Sequence, residues 1–307
     1  MNCLVSGCLD HTSRNRRRHF AFILPEFRRA GTSGAVFAVA LRGMDYYHVD
    51  SFTSTLFGGN AAGVCVLREF PSAHLMQQIT GENKHSETAF VVQRADGDFD
   101  LRWFMPAAEV DLCGHATLAA AYALRLRGYM PDPIRFHTRS GVLTVAGNLD
   151  ALEMDFPAYE PVRMDAESAL VAALGIDPVE CFSARGDWRL FRLPSEEAVR
   201  AAAPDFKTLA TFPLYGYILT APSSDPGFDI VSRFFCPRMG IDEDPVTGGI
   251  AGALMNYWGT RLGTNTLNIH QVSARGGEMT CKLVGDRVRI IGRARLYMRA
   301  QLEIDES

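Results

Sequence analysis

The chain has 307 residues, 47% hydrophobic and 21% charged, with a net charge of −4. That describes an ordinary globular protein long enough for two domains, and the negative balance leaves no footprint for nucleic acid or an anionic membrane. The seven cysteines (Cys3, Cys8, Cys65, Cys113, Cys181, Cys236, Cys281) are odd in number, scattered and lack any Cys-x-x-Cys pair, which argues against a disulfide framework or zinc site and for a reducing cytoplasm, while no apolar run reaches the ~20 residues of a membrane helix.

Residues 1–43 differ from the rest. They hold seven arginines against one Asp and one Glu, a net of +5, which leaves −9 for residues 44–307. Arg14 to Arg18 followed by Phe20 to Leu24 has the outline of a targeting signal, but the apolar stretch is short and Pro25-Glu26 interrupts it. The expectation is a passive extension, disordered or translated from an upstream start, with folding beginning at Met44.

From there Tyr46–Phe52 and Ala62–Leu67 read as strands joined by the glycine-rich turn Phe57-Gly58-Gly59-Asn60. Pro71–Gly81 reads as a helix with Leu75, Met76 and Ile79 on one stripe. Glu87–Gln93 reads as a buried strand, and Phe99–Phe104 alternates up to Pro106. His115–Arg127 is a helix stopped at Gly128. Its Ala116, Ala119, Ala120, Ala121 and Ala123 suit a helix closely wrapped by strands. Pro157 and Pro161 bracket a stretch without periodicity, which marks a boundary.

Trp188–Leu193, Leu214–Thr220 and Phe228–Phe235 are the next strands, with a helix opening at the N-cap Ser195. Gly248–Trp258 is a second apolar helix, and Met279–Leu283, Arg287–Ile291 and Arg295–Leu302 are closing strands. The two apolar helices open on Gly114-His115-Ala116-Thr117 and Gly248-Gly249-Ile250-Ala251, 134 residues apart. His137 and His270 follow them at a spacing of 133. One unit used twice is the simplest account. The expected fold is α+β, two pseudo-symmetric lobes over 44–156 and 157–307, each a curled, mostly antiparallel sheet around a central helix, with the last strand free to return to the first lobe.

Two helix starts facing one cleft would present unpaired N–H groups and partial positive charge to an anion such as a carboxylate. Gly114 and Gly248 would allow close approach; alternatively they serve only tight turns. Glu87 opens an apolar strand, so it is either an edge residue in solvent or a partly desolvated carboxyl whose raised pKa suits a general base. Asp242, Glu243 and Asp244 precede the second helix, where plain capping accounts for them; no ligand spacing for a metal follows. His115 is a donor to a bound anion or a satisfied polar residue. Cys113 at the first helix start raises the alternative of a thiol base, but the matching position in the second half is Thr247. The sequence holds no Walker, dinucleotide or Gly-x-Ser-x-Gly motif.

These residues together resemble the PhzF family of phenazine biosynthesis-like isomerases, which share the diaminopimelate epimerase fold. The matching pieces are His48 to Phe52, Gly58 to Val64, Ser86-Glu87-Thr88-Ala89-Phe90, Asp111 to Leu118, Asp242 to Gly248, and Gln271 through Arg275-Gly276-Gly277. The resemblance implies that Glu87 is the acid/base, that His115 and Asp244 line the ligand site, and that Ser86, Gly114, Gly248 and the backbone of Gly249 contribute donors. It also implies a homodimer and no cofactor or metal. The family's usual Thr-Gly-Ser-Ala-His reads Thr247-Gly248-Gly249-Ile250-Ala251 here, without the hydroxyl or the histidine. The implied reaction is a proton shift by Glu87 on a small carboxylated metabolite with an activated C–H. The alternatives are a ligand-binding protein that has lost turnover and an epimerase using Cys113.

Overall fold

The computed structural model describes residues 43–304. The expectations for the amino-terminal extension lie outside them, apart from Gly43 at its end.

Burial on both faces explains why the inner strands read as nearly continuous apolar runs. In Asn60–Leu67, Ala62 and Val64 face the core that surrounds the first central helix, while Cys65 faces Met76 and Ile79 of the outer helix Ala73–Asn83. Glu87–Gln93 splits the same way, Ala89 and Val91 inward and Phe90 outward. The second half repeats the rule with its own outer cluster. Ile218 and Phe234 join the shared core, while Leu219 and Phe235 pack against Leu170, Val199 and Leu209 of three short outer helices.

Strand pairing makes the duplication explicit. In the first half Met44–Ser51 pairs antiparallel with Asn60–Leu67, which runs parallel to Glu87–Gln93; this pairs antiparallel with Phe99–Phe104, which is parallel to Ile134–Thr138. Gly141–Asn148 and Ala151–Pro157 continue antiparallel. The second half gives the same series through Glu180–Ser183, Trp188–Arg192, Gly216–Pro222, Ile230–Cys236, Thr266–Gln271, Gly277–Val284 and Arg287–Gly292. The last strand, Ala294–Leu302, returns to pair with Met44–Ser51 of the first half, while Val162–Met164 takes the equivalent edge position beside Glu180–Ser183.

A strand leads into the stretch between Pro157 and Pro161. Ala151–Pro157 is a strand that buries Leu152, Met154 and Phe156 in alternation and pairs with Arg287–Gly292, so the two halves share one hydrogen-bonded ladder. The first central helix, Gly114–Leu126, is buried from His115 to Arg125. Its alanines leave the strands room to approach, and a larger side chain at such a position typically costs about 1–3 kcal/mol. The second, Ala251–Leu262, is buried over most of its length and joins the same core. No helix among the described residues is long and apolar enough to cross a membrane.

Candidate active site

Four chain turns bring the site together. Gly59 lies at φ +64°, and its N–H donates to the Gly276 carbonyl, which delivers Asn60 to the head of its strand. Lys84, left-handed at φ 54°, ends the helix Ala73–Asn83, so that Ser86 and Glu87 start the next strand, with Glu87 opposite Ala62. His115 stands in the first turn of the first central helix, and Asp244 ends the short strand Ile241–Asp244. Gly248 and Gly249 do not begin an α-helix as the sequence pattern suggested. They form a 3-10 turn, Gly248–Ile250, and the α-helix starts at Ala251. The two helix starts nevertheless meet, since a Cβ placed on Gly114 would lie 3.9 Å from the Gly248 Cα.

Asn60 is the hub of the assembled group. Buried, its Nδ2 lies 2.7 Å from Asp244 Oδ1, 3.0 Å from the Val246 carbonyl and 3.2 Å from His115 Nδ1, and its Oδ1 accepts from Ser86 Oγ at 3.4 Å. His115 Nε2 faces Ser86 Oγ and Glu87 Oε2, each at 3.3 Å. Thr247 Oγ1 donates to Asp244 Oδ2, and buried Gln271 accepts from the Thr247 N–H at 2.9 Å while donating to the Asp244 carbonyl at 2.7 Å. Glu87 Oε2 is enclosed, and despite its ion-pair distance to His115 it makes no hydrogen bond among the described residues.

The two carboxyls are pushed in opposite directions. Burial acts to raise Glu87, but the attraction and hydrogen bonding of His115, helped by Ser86, outweigh it and the net shift is downward. Neither sequence reading, an edge residue in solvent or a carboxyl raised by desolvation, matches: the side chain is mostly enclosed and its shift is downward. Its partner, which decides the sign, lies 28 residues further on and could not be read from the strand. Burial opposes charge on His115, yet Cys113 and Glu87 raise it well above the ordinary imidazole value. Each member of the pair favours the charged form of the other. Asp244 is raised by burial to about 6.

Glu87, Cys113 and His115 offer ligand atoms within 4.8 Å of one another. Cys113 Sγ lies 3.6 Å from His115 Nδ1, however, whereas Glu87 faces Nε2 of the same ring. Thiol, imidazole and carboxylate thus form a chain rather than converging on one ion. Burial raises the Cys113 thiol, which disfavours a thiolate base. Asp96, Asp98 and His137 form another set at the surface, where Arg94 and Arg135 occupy its carboxylates. The paired histidines of the sequence echo stay away from the centre: His137 bonds Asp98, and His270 stacks on Phe228. A cavity of about 920 Å³ lined by Met44, Phe70, Arg127 and Tyr129 includes none of the clustered residues.

The structure therefore gathers Ser86, Glu87, Gly114, His115, Asp244 and Gly248 as the sequence suggested, with Gly249 beside them. Sequence reasoning gave no role to Asn60 or Gln271. The only signal for Asn60 was an amide directly after two glycines at the head of an apolar strand.

Residues 49–300 match the family described as phenazine biosynthesis-like protein. The chain belongs to the PhzF family. An uncharacterized isomerase of Pseudomonas aeruginosa is 44% identical over 262 residues, covering 85% of this chain and 99% of that protein. The human phenazine biosynthesis-like domain-containing protein is 35% identical over 280 residues, covering 82% and 96%. Among solved structures, a PhzF family protein of Enterococcus faecalis superposes with a TM-score of 0.82 at 39% identity, over 85% of this chain and all of that one. A hydroxyproline epimerase of Agrobacterium vitis, at 13% identity and a TM-score of 0.56 over 86% and 94% of the two chains, shares the fold alone. PhzF membership and an epimerase-like α+β fold thus agree with the strand series described above.

Proposed function

We propose that this PhzF family member is an isomerase that moves a proton between carbons of a small carboxylated substrate, with Glu87 as the acid/base. The observation that carries the reading is the Glu87–His115 pair. His115 faces one oxygen of the enclosed Glu87 carboxyl, Oε2, and favours its charged form, beside two helix starts that approach each other. The other carboxylate oxygen is available to take a proton from carbon and to return it elsewhere on the same molecule. A carboxylate of lowered pKa is a weak base, so the substrate must carry an activated C–H, one allylic to a double bond and α to a carboxylate.

In this reading the N–H groups at Gly114, Gly248 and Gly249 hold the substrate carboxylate and the charge that builds on it. Asp244 and His115 take its amino or hydroxyl groups. Acid–base catalysis of this kind supplies about 10²–10⁴-fold, and positioning adds the remainder.

The test is incubation in deuterated water with a panel of β,γ-unsaturated carboxylic acids, open-chain and cyclic, read by mass spectrometry. The active protein places deuterium on substrate carbon, and Glu87→Gln loses this by at least ~100-fold while still binding the acid. Exchange that persists unchanged in Glu87→Gln rejects the role of Glu87. Binding without exchange in the unaltered chain leaves a ligand-binding protein, the reading that Gly249 and Ala251 would favour. Cys113→Ser separates the epimerase alternative: it should keep exchange within a few-fold, and inactivation would transfer the chemistry to the thiol.

A further inference from the structure

The first turn of the second central helix is flanked by aromatic rings that the proton shift does not use. Gly249 stands where the family's usual serine would be, and a Cβ there would meet Trp188 Cη2 at 3.3 Å. One turn further on, a Cβ on Gly252 would meet the Tyr159 ring at 3.2 Å and the Pro157 carbonyl oxygen closer still. The two glycines therefore let two rings close on the helix start from different strands and loops. Trp188 is also stacked on Tyr215, with centroids 5.4 Å apart and planes 17° from parallel. Tyr215 keeps 39% of its surface exposed, so this platform is not sealed.

Over these rings lies one cation. The Arg185 guanidinium is 5.0 Å from the Tyr159 centroid and 5.6 Å from the Trp188 centroid. It forms no ion pair among the described residues. A guanidinium over aromatic faces can still present its N–H donors to a carboxylate. The platform also lies within electrostatic reach of the reacting groups. Burial first, then charge at Cys236, Glu87 and Asp244, pushes the Tyr215 phenol up to about 12.

We infer that Arg185, seated on Tyr159 and Trp188 at the Gly249 helix start, binds a second carboxylate of the substrate, so that the substrate class is a dicarboxylate whose second carboxylate sits on a flat, unsaturated arm beyond the reacting carbon. The inference rests on the proposed proton-shift site for the placement of the first carboxylate. It gives the Gly249 departure a physical role. Leaving Gly249 without a side chain admits the edge of the buried Trp188, and the substrate gains the exposed Tyr215 ring stacked on it as a flat wall and a distant anion clamp in exchange for one hydroxyl donor.

Non-reacting probes test it by calorimetry on the full chain: benzoate, cyclohexanecarboxylate, isophthalate and terephthalate. The expectation is that at least one of the two dicarboxylates binds about tenfold or more tightly than benzoate, and benzoate more tightly than cyclohexanecarboxylate. Arg185 is exposed, so Arg185→Gln should fold normally; it should abolish the dicarboxylate preference and leave benzoate affinity unchanged. Arg185→Lys should restore only part of it. Gly249→Ser should weaken all the planar acids by displacing Trp188. Equal affinity for mono- and dicarboxylates, a preference that survives Arg185→Gln, or no binding of any probe at millimolar concentration overturns the inference. Glu87→Gln should leave the dicarboxylate preference intact. Loss of the Arg185 effect alongside Glu87-dependent deuterium exchange rejects only the clamp, whereas an Arg185-dependent preference without Glu87-dependent exchange rejects only the catalytic reading.

Discussion

Asn60 Nδ2 lies 2.7 Å from Asp244 Oδ1, a hydrogen bond between residues 184 positions apart that ties the first half of the chain to the second inside the candidate site. The same amide reaches the Val246 carbonyl, so Asn60→Ala strips two buried acceptors of their donor at once. The expected loss is roughly 2–4 kcal/mol of stability, measured by urea denaturation, together with a collapse of deuterium exchange. A variant less than about 0.5 kcal/mol weaker, well under the usual cost of unsatisfied buried groups, would mean that water or a neighbour takes over and that Asn60 is not the hub.

Asp244 supplies the pH signature. Its folded value, about 6, is raised from 3.8 by burial. A raised carboxyl contributes stability below its unfolded value that is lost as pH rises through the folded one, so ionising Asp244 above pH 6 works slightly against the fold and towards ligand binding. If it receives a substrate ammonium or hydroxyl as a carboxylate, kcat/KM climbs as pH rises through about 6 and levels off above it. Asp244→Asn should remove that inflection and lower the plateau. A profile flat between pH 5 and 7, or the same inflection in the variant, would show that some other group titrates there.

The sequence revealed the parts of this molecule that are encoded locally. Glu87 was visible because a charge at the head of an apolar strand is costly, and Gly114 and Gly248 because small residues recur at one spacing before two apolar helices. The two lobes followed from that spacing. What stayed hidden depends on partners far along the chain. Asn60 looks like any turn amide until Asp244 and His115 arrive beside it. The sign of the Glu87 shift belongs to His115, not to the strand that carries Glu87. Nothing local in Ala151–Pro157 points to Arg287–Gly292, the distant partner that makes it a central strand. The duplicated histidines mark corresponding strands of the two halves, Ile134–Thr138 and Thr266–Gln271, which is what their spacing implied.

Backbone conformation gives a paired test that separates a glycine required by geometry from one that is merely tolerated. Gly59 sits at φ +64°, and a Cβ there would be driven into the Ser51 carbonyl oxygen, in a turn that Arg275 holds by donating to the carbonyls of Gly58 and Gly59 and to the buried Asp50. Relaxing that clash means moving Asn60, the next residue, out of reach of Asp244. Gly81 lies within the helix Ala73–Asn83, and a Cβ there meets nothing within 4 Å. Gly81→Ala should therefore stabilise the protein by about 0.5–1 kcal/mol through helix propensity and leave exchange unchanged. Gly59→Ala should destabilise it by more than ~1 kcal/mol and reduce exchange at least as far as Asn60→Ala does. Thermal melts and exchange rates of the two variants decide the matter: if Gly59→Ala lowers stability but leaves exchange intact, the turn holds the fold together without positioning Asn60.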